Sequence, residues 1–266
     1  MTPTLTQKHR KLECLLTEMG SVLVAYSGGT DSTLVMKVAH DVLGPKALAV
    51  TAASPTMPET ELEQATSLAA QVGANHRVVA TDQLRYQDFV KNDERRCYHC
   101  KTDLYQGLAR LRQKLAIGTI GDGTNLDDLG DDRPGLLAAR EWSVRSPLVE
   151  AELSKAEVRD LAKALGLSNW EKPAAACLSS RIQRGTPITV EKLARVERAE
   201  AFLMGQGFRQ VRVRDKDGAA RVEVDTQELA RLMEPAMRRT VAERLQQFGF
   251  TAVALDPDGY RKGGGN

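Results

Sequence analysis

Short apolar runs alternate with helical patterns along the chain up to about residue 185. Leu12, Cys14, Leu15, Leu16 and Met19 recur at helical spacing, which predicts an amphipathic helix over 5–19 with Cys14 on its buried face as a small hydrophobe. Val22-Leu23-Val24-Ala25 has strand character, and Leu34, Val35, Val38, Ala39, Val42 and Leu43 follow with helical period. Residues 47–53 predict a second buried strand, Pro58 opens a helix over 59–72 that Gly73 stops, and 76–80 predict a third strand. Further on, the pattern predicts helices over 102–114, 134–141 and 154–165 and a strand over 116–120. The helix over 154–165 begins at Ser154, has Glu157 in the capping-box position and stops at Gly166. Strand and helix in this rhythm predict an α/β fold, a doubly wound parallel sheet whose ligands lie beyond the carboxyl ends of its strands.

Beyond Thr186-Pro187 the rhythm changes, so the pattern divides the chain into a domain over 1–185 and a smaller α+β domain over 186–266. The second has a helix over 190–204, strands over 208–214 and 221–225 joined at Asp217-Gly218, helical segments across 226–247 and a strand over 251–255. Period two puts Arg212 and Arg214 on one face of the hairpin and Val211 and Val213 on the other. Arg221, Glu223 and Asp225 form a charged set on the partner strand. Two readings follow: a solvated face with cross-strand ion pairs, or a basic pocket for a phosphate whose acids hold the arginines or bind a divalent metal.

Composition narrows the class. The chain has 266 residues and a net charge of +2, so it can bury ample core, and its charge gives no reason to expect a nucleic-acid partner. No apolar run is long enough to span a membrane, and the polar first twenty residues do not read as a signal peptide; a soluble, cytoplasmic protein is expected. Four cysteines in a chain of this size do not make a disulfide scaffold and point to metal or chemistry instead.

Three stretches carry that chemistry. In Ser27-Gly28-Gly29-Thr30-Asp31-Ser32, between strand and helix, the glycines allow an anion to approach, and the helix start offers unpaired N–H groups beside hydroxyl donors. No Lys follows the second Gly, so this is not the Walker loop; the string resembles the pyrophosphate loop of the PP-loop ATPases, which split ATP into AMP and pyrophosphate. The acid-rich turn from Gly121 to Asp128, including Gly123 and Thr124, stands where a doubly wound fold places substrate contacts, or is a solvated loop. The polar loop Lys91–Lys101 contains Cys97 and Cys100 in a Cys-x-x-Cys pair, and small residues from Pro173 surround Cys177, with Arg181 nearby as a cation that favours thiolate.

Together these segments resemble the LarE sulfur transferases, which help make the nickel-pincer nucleotide cofactor of lactate racemase. The likeness runs nearly end to end, through Ser27–Ser32, Arg96–Lys101, Gly123-Thr124-Asn125, Pro173–Arg181, Val211–Arg214, Ala220–Val224 and Gly259-Tyr260-Arg261. It implies that ATP adenylates a carboxylate of pyridinium-3,5-dicarboxylate mononucleotide and that sulfur displaces AMP to leave a thiocarboxylate. Ser27, Gly28, Gly29, Thr30, Asp31, Ser32, Gly123 and Thr124 would then form the nucleotide site, with Asp31 positioning Mg²⁺. Ser180, Arg181, Arg212 and Arg214 would hold the substrate, and Glu200 and Glu223 match acidic positions of the family's divalent-metal site. A homo-oligomer is implied as well; the sulfur donor stays open.

The cysteines set this chain apart within the family. In one branch a single cysteine, matching Cys177, gives up its own sulfur. Cys97, Cys100 and Cys177 instead resemble the branch in which three thiolates hold a [4Fe-4S] cluster with one iron left open for sulfide. That reading is preferred to a Cys97–Cys100 pair reducing a Cys177 persulfide, and a structural zinc site comes last. The rivals are a tRNA thiolase, which the balanced charge disfavours, a GMP or NAD synthetase type, which leaves the thiols unexplained, and a non-catalytic nucleotide sensor or cluster carrier.

Overall fold

A computed structural model describes residues 1–130, 134–173 and 176–261. The chain folds as two compact units, one from 1–54, 59–83 and 97–175, the other from 55–58, 84–96 and 176–266.

The first unit is built on β1 (Val22–Ala25), β2 (Ala47–Ala53), β3 (His76–Ala80) and β4 (Thr119–Gly121), in the order β3-β2-β1-β4. Each pair is parallel, with Val22 opposite Ala47 on one side and Thr119 on the other. Successive side chains of β1 point to opposite faces. Val22 and Val24 pack with Leu12, Leu16, Leu34, Val38, Val158 and Leu161 from the helices Pro3–Glu18, Thr30–Leu43 and Lys155–Ala164. Leu23 packs on the other side with Tyr105, Leu108 and Ala138, from the helices Arg96–Lys114 and Pro134–Glu141. Helices on both faces make this the doubly wound sheet that the alternating pattern predicts. The chain leaves β1 to one side and returns to β4 on the other, so the loops after these two strands flank the point where strand order reverses.

Two local expectations are corrected. Cys14 is exposed: Leu12, Leu16 and Met19 define the buried stripe, and a residue two positions past Leu12 lies about 200° around the helix from it. The helix expected from Thr102 begins at Arg96, so Cys97 and Cys100 sit in its first turns rather than in a loop.

In the second unit β5 (Val211–Lys216) and β6 (Ala219–Val224) form an antiparallel hairpin, and β7 (Ala252–Leu255) adds in parallel to β6. Asp217 and Gly218 both have positive φ, 49° and 92°, the two-residue turn whose twist matches a hairpin. Val213 and Val222 face each other on the apolar side, and Arg212 faces Glu223 on the charged side.

Asn92 ties the 84–96 segment into this unit. Wholly buried at φ 56°, it donates from Nδ2 to the carbonyls of Gln183 (2.9 Å) and Thr186 (3.0 Å), while its Oδ1 accepts from Arg96 (2.7 Å). Its own carbonyl accepts from the Gly185 N–H. Asparagine tolerates this left-handed backbone better than most residues. Asn92→Ala is expected to cost about 2–4 kcal/mol, since several buried bonds go and the Arg96 guanidinium loses an acceptor. A fall in the urea midpoint with an unchanged slope is the readout, and a midpoint equal to wild type counts against this role.

Candidate functional site

In the first unit, the loop after β1 is held from several sides. The Tyr26 N–H donates to Val50 O (2.9 Å), and its hydroxyl to Ala65 O (3.0 Å). Gly28 has φ 73°, and a Cβ there would stand 2.7 Å from Ala65 Cβ, so both the backbone angle and the space demand glycine. The Ser27 N–H donates to Ser32 Oγ (3.2 Å), the two serine hydroxyls meet at 3.1 Å, and Thr33 Oγ1 donates to Gly29 O (2.8 Å). Gly29 precedes the helix Thr30–Leu43 without a side-chain cap. Among the described residues, the N–H groups of Thr30, Asp31 and Ser32 meet no protein acceptor. Orphan donors at a helix start, in a loop too tight for side chains, suit phosphate oxygens.

Sequence reasoning missed much of what holds this loop. Asn169, 8% exposed, donates from Nδ2 to Gly28 O (3.1 Å) and Thr33 Oγ1 (3.0 Å), and its own carbonyl accepts from Thr30 Oγ1 (2.8 Å). Asp31 is met by Lys155 Nζ at 2.5 Å and by Asn125 Nδ2 at 3.2 Å. The turn after β4 lies directly on the helix start, because a Cβ on Gly123 would stand 2.7 Å from the Ser32 nitrogen. Asp122 organises that turn, accepting from the Thr124 N–H (3.1 Å) and hydroxyl (2.8 Å), from Ser146 Oγ (2.8 Å) and from the Tyr105 hydroxyl (3.1 Å). Burial, helped by the Asp122 charge, raises the Tyr105 phenol well above its ordinary range, so it stays a neutral donor. The Thr124 hydroxyl thus serves Asp122 here.

Cys97 and Cys100 stand outside any disulfide, one exposed and one half-buried, three residues apart and therefore on one side of their helix. The intervening His99 sets its ring edge-on to Tyr98, with centroids 5.4 Å apart.

In the second unit, Cys177 precedes a single 3₁₀ turn, Leu178–Arg181. Its thiol is free and exposed. Ala174 and Ala175 of the small-residue stretch lie outside the described residues. The turn is anchored by buried Leu178 and Ser179, by the Leu178 N–H on Thr56 O (2.9 Å) and by Arg96 on Ser179 O (3.0 Å).

Arg181 is almost wholly buried and donates from Nε and Nη2 to the two Glu200 oxygens at 2.9 and 3.0 Å. Its Nη1 donates to Ala176 O, Cys177 O and Ser180 Oγ. Glu200 thus meets the Arg181 charge, and the Arg181 Nη1 braces the Cys177 segment.

Arg214 pairs both Glu223 oxygens, at 3.0 and 3.1 Å, and donates to Ser180 O (3.1 Å). Arg221 also reaches Glu223 (2.7 Å). Side-chain exposure is 10% for Arg214 and 2% for Glu223, so the solvated-face reading of the hairpin is corrected: cross-strand pairing buries these charges. Glu200 also accepts from the Val213 N–H (3.0 Å). Both carboxylates therefore hold arginines, one of the two roles weighed for them. The Arg212 guanidinium lies over the Tyr260 ring at 5.3 Å, and burial, with the Arg181 charge nearby, pulls its pKa below the usual range. Guanidinium groups gathered in this way suit an anion. Ser180, Arg181, Arg212 and Arg214 are thus brought together, with Cys177 on the same turn as Ser180.

Cys97 and Cys100 belong to the first unit and Cys177 to the second. Among the described residues, no three His, Cys, Asp or Glu side chains gather as a metal-binding group, and no helix is long and apolar enough to cross a membrane.

The family model for NAD synthase matches residues 10–117, the stretch that carries the loop after β1. An uncharacterized protein of Synechocystis sp. is 44% identical over 259 residues, 97% of each chain. An uncharacterized protein of Methanocaldococcus jannaschii is 29% identical over 240 residues, 90% of each chain. The pyridinium-3,5-bisthiocarboxylic acid mononucleotide synthase of Lactiplantibacillus plantarum is 38% identical over 261 residues, 98% of this chain and 94% of the synthase. With 98% of its length covered by the likeness to that synthase, this chain belongs to the LarE family of PP-loop sulfur transferases.

Proposed function

We propose that this protein adenylates the carboxylates of pyridinium-3,5-dicarboxylate mononucleotide with ATP and converts them to thiocarboxylates. The observation that carries the reading is the end-to-end likeness to the Lactiplantibacillus synthase, supported by an exposed Cys177 on the same turn as an arginine cluster. A carboxylate oxygen attacks the α-phosphorus of ATP, the bond to pyrophosphate breaks, and an acyl adenylate forms. Adenylation turns a poor leaving group into a good one, so sulfur then attacks the acyl carbon and AMP departs.

The first unit supplies the nucleotide's partners. The orphan N–H groups of Thr30, Asp31 and Ser32 and the Ser27 and Ser32 hydroxyls offset phosphate charge. Asp31 is the carboxylate with the chemistry to hold Mg²⁺, which when bound neutralises charge on the leaving pyrophosphate. The second unit supplies Arg212 and Arg214, with Ser180 and Arg181, for the substrate's phosphate and carboxylates.

Cys177 is the proposed point of sulfur transfer, and Cys97, Cys100 and Cys177 the thiols for a [4Fe-4S] cluster. The donor set suits one in its chemistry, being cysteines outside any disulfide with two on one helix side. Such a cluster supplies an iron without a protein ligand, able to carry sulfide.

The test is to supply ATP, Mg²⁺, a sulfide source and the dicarboxylate nucleotide to anaerobically purified protein. Release of AMP and pyrophosphate that depends on the dicarboxylate, with thiocarboxylate seen by mass spectrometry, is expected. ATP binding without dicarboxylate-dependent pyrophosphate release would leave only a nucleotide-binding carrier. Iron and sulfide analysis decides the form of delivery: about four of each per chain supports the cluster, and stoichiometric zinc or no metal removes it.

A further inference from the structure

A cavity of about 590 Å³ opens on the first unit beside Gly118, just before β4. It therefore lies at the amino ends of the parallel strands, whereas the loops after β1 and β4 leave the opposite, carboxyl ends. Ala109, Ile117 and Trp142 form its floor, half-buried and packed against the core around Leu23 and Tyr105. Close packing beneath holds that floor in place. The helix Arg96–Lys114 makes one wall. Gln106, Ala109, Arg110 and Gln113 share a face of it by spacing, and Arg112 lies beside Ala109, three positions on.

The chemistry of this lining is one-sided. Two guanidinium groups, the indole N–H of Trp142 and two glutamine amides offer donors, and no Asp or Glu stands among them. Among the described residues, neither Arg110 nor Arg112 pairs with a carboxylate, whereas Arg181, Arg195, Arg214 and Arg221 all do. Glu141, beside Trp142 in the chain, accepts from the Tyr98 hydroxyl instead (2.7 Å). The helix dipole gives a reason for a cation in the last turn, where Arg112 falls, but none for Arg110.

We propose that this cavity binds a small planar anion, a heteroaromatic ring bearing a carboxylate or phosphate. The ring stacks on the Trp142 indole, and the anionic group takes the forked donors of Arg110 and Arg112. A volume in the range of small-molecule sites, an apolar floor and a few polar groups at its edge are what such a ligand requires. Free aromatic acids and nucleotides share this chemistry. Binding here changes no covalent bond and does not depend on the sulfur-transfer reading, so its failure would leave that reading untouched.

The test uses the full chain carrying Trp170→Phe, which leaves Trp142 as the sole indole of the two in the sequence. Its fluorescence is followed on titration with pyridine-3,5-dicarboxylate, AMP and inorganic phosphate. Saturable quenching by the dicarboxylate or by AMP is expected, and which of them quenches tells a free acid from a nucleotide. Inorganic phosphate, lacking a ring to stack, is expected to bind several-fold more weakly. Arg110→Met and Arg112→Met are each expected to weaken binding about tenfold through loss of charge-assisted hydrogen bonds. Arg112→Lys should recover only part, since an ammonium lacks the fork. Arg110 is exposed, so its substitution keeps the test alive should an Arg112 variant fail to fold. No quenching by either ring-bearing anion would overturn the proposal. So would quenching that both arginine variants leave unchanged, which places the anion elsewhere on the chain. Inorganic phosphate binding as tightly as the ring-bearing anions would also overturn it.

Discussion

Glu200→Ala is expected to lower the stability of the second unit by about 3–5 kcal/mol, because it strips a buried guanidinium of its carboxylate. Arg181 and Glu200 meet through two parallel bonds, with side chains only 3% and 8% exposed. Water therefore cannot replace the lost partner. The same carboxylate also accepts from the Val213 N–H in β5, so one substitution loosens both the sheet and the turn that carries Cys177. Glu200→Gln keeps one acceptor and the side-chain volume and should lose less. The measurement is urea unfolding by circular dichroism, together with hydrogen exchange over Val211–Val224. A loss below about 1 kcal/mol is what an exposed pair gives, and it would refute this account. The experiment also separates the two roles weighed for Glu200. If it served a divalent metal instead, Mg²⁺ or Mn²⁺ would stabilise the wild type and leave the variant unmoved.

The frame of the first unit was legible because its signals are local. An apolar run, a Gly-Gly turn and a helical period lie within a few residues of one another, and parallel order follows from the alternation of strands and helices. The Ser154–Glu157 capping box and the Asp217-Gly218 turn are likewise contained in short strings, and both appear as read. Boundaries near polar residues were not. Arg96-Cys97-Tyr98-His99-Cys100 reads as a loop by composition, yet it opens a helix whose core contacts, through Tyr105 and Leu108, come one or two turns later.

What the sequence hid depends on partners far along the chain. Asn169 clasps a loop 141 residues before it, and Lys155 meets an aspartate 124 residues before it. Asn92 binds carbonyls some ninety positions on. No periodicity announces such pairs, although a lysine opening a helix against its dipole was a signal of the right kind. The charged hairpin face misled for a related reason. Alternation gave the correct face for Arg212 and Arg214, but burial of that face depends on Glu200, Glu223 and Tyr260 reaching it.

Cys177→Ala is expected to abolish thiocarboxylate formation, by about a thousandfold or more, while leaving dicarboxylate-dependent pyrophosphate release in the first turnover. The two halves separate because the proposed adenylation uses the loop and arginine donors, none of which the substitution replaces. Alanine keeps the 3₁₀ turn as well, whose bonds at this position run through the main-chain carbonyl, which accepts from Ser180 and Arg181. Rapid-quench assay of pyrophosphate beside mass spectrometry of the nucleotide product reads both halves. If the variant still makes thiocarboxylate at the wild-type rate, sulfur does not pass through Cys177. If pyrophosphate release disappears too while the fold is intact, Cys177 acts before or during adenylation. Intact-mass analysis of the wild type after turnover then fixes the sulfur's route. A chain that has lost the elements of H₂S has spent its own cysteine. A chain of unchanged mass after many turnovers draws its sulfur from elsewhere, and Cys97→Ala should then stop turnover while Cys177 stays intact. That last pairing is the sharpest distinction available, because a Cys177 that spends its own sulfur has no need of Cys97.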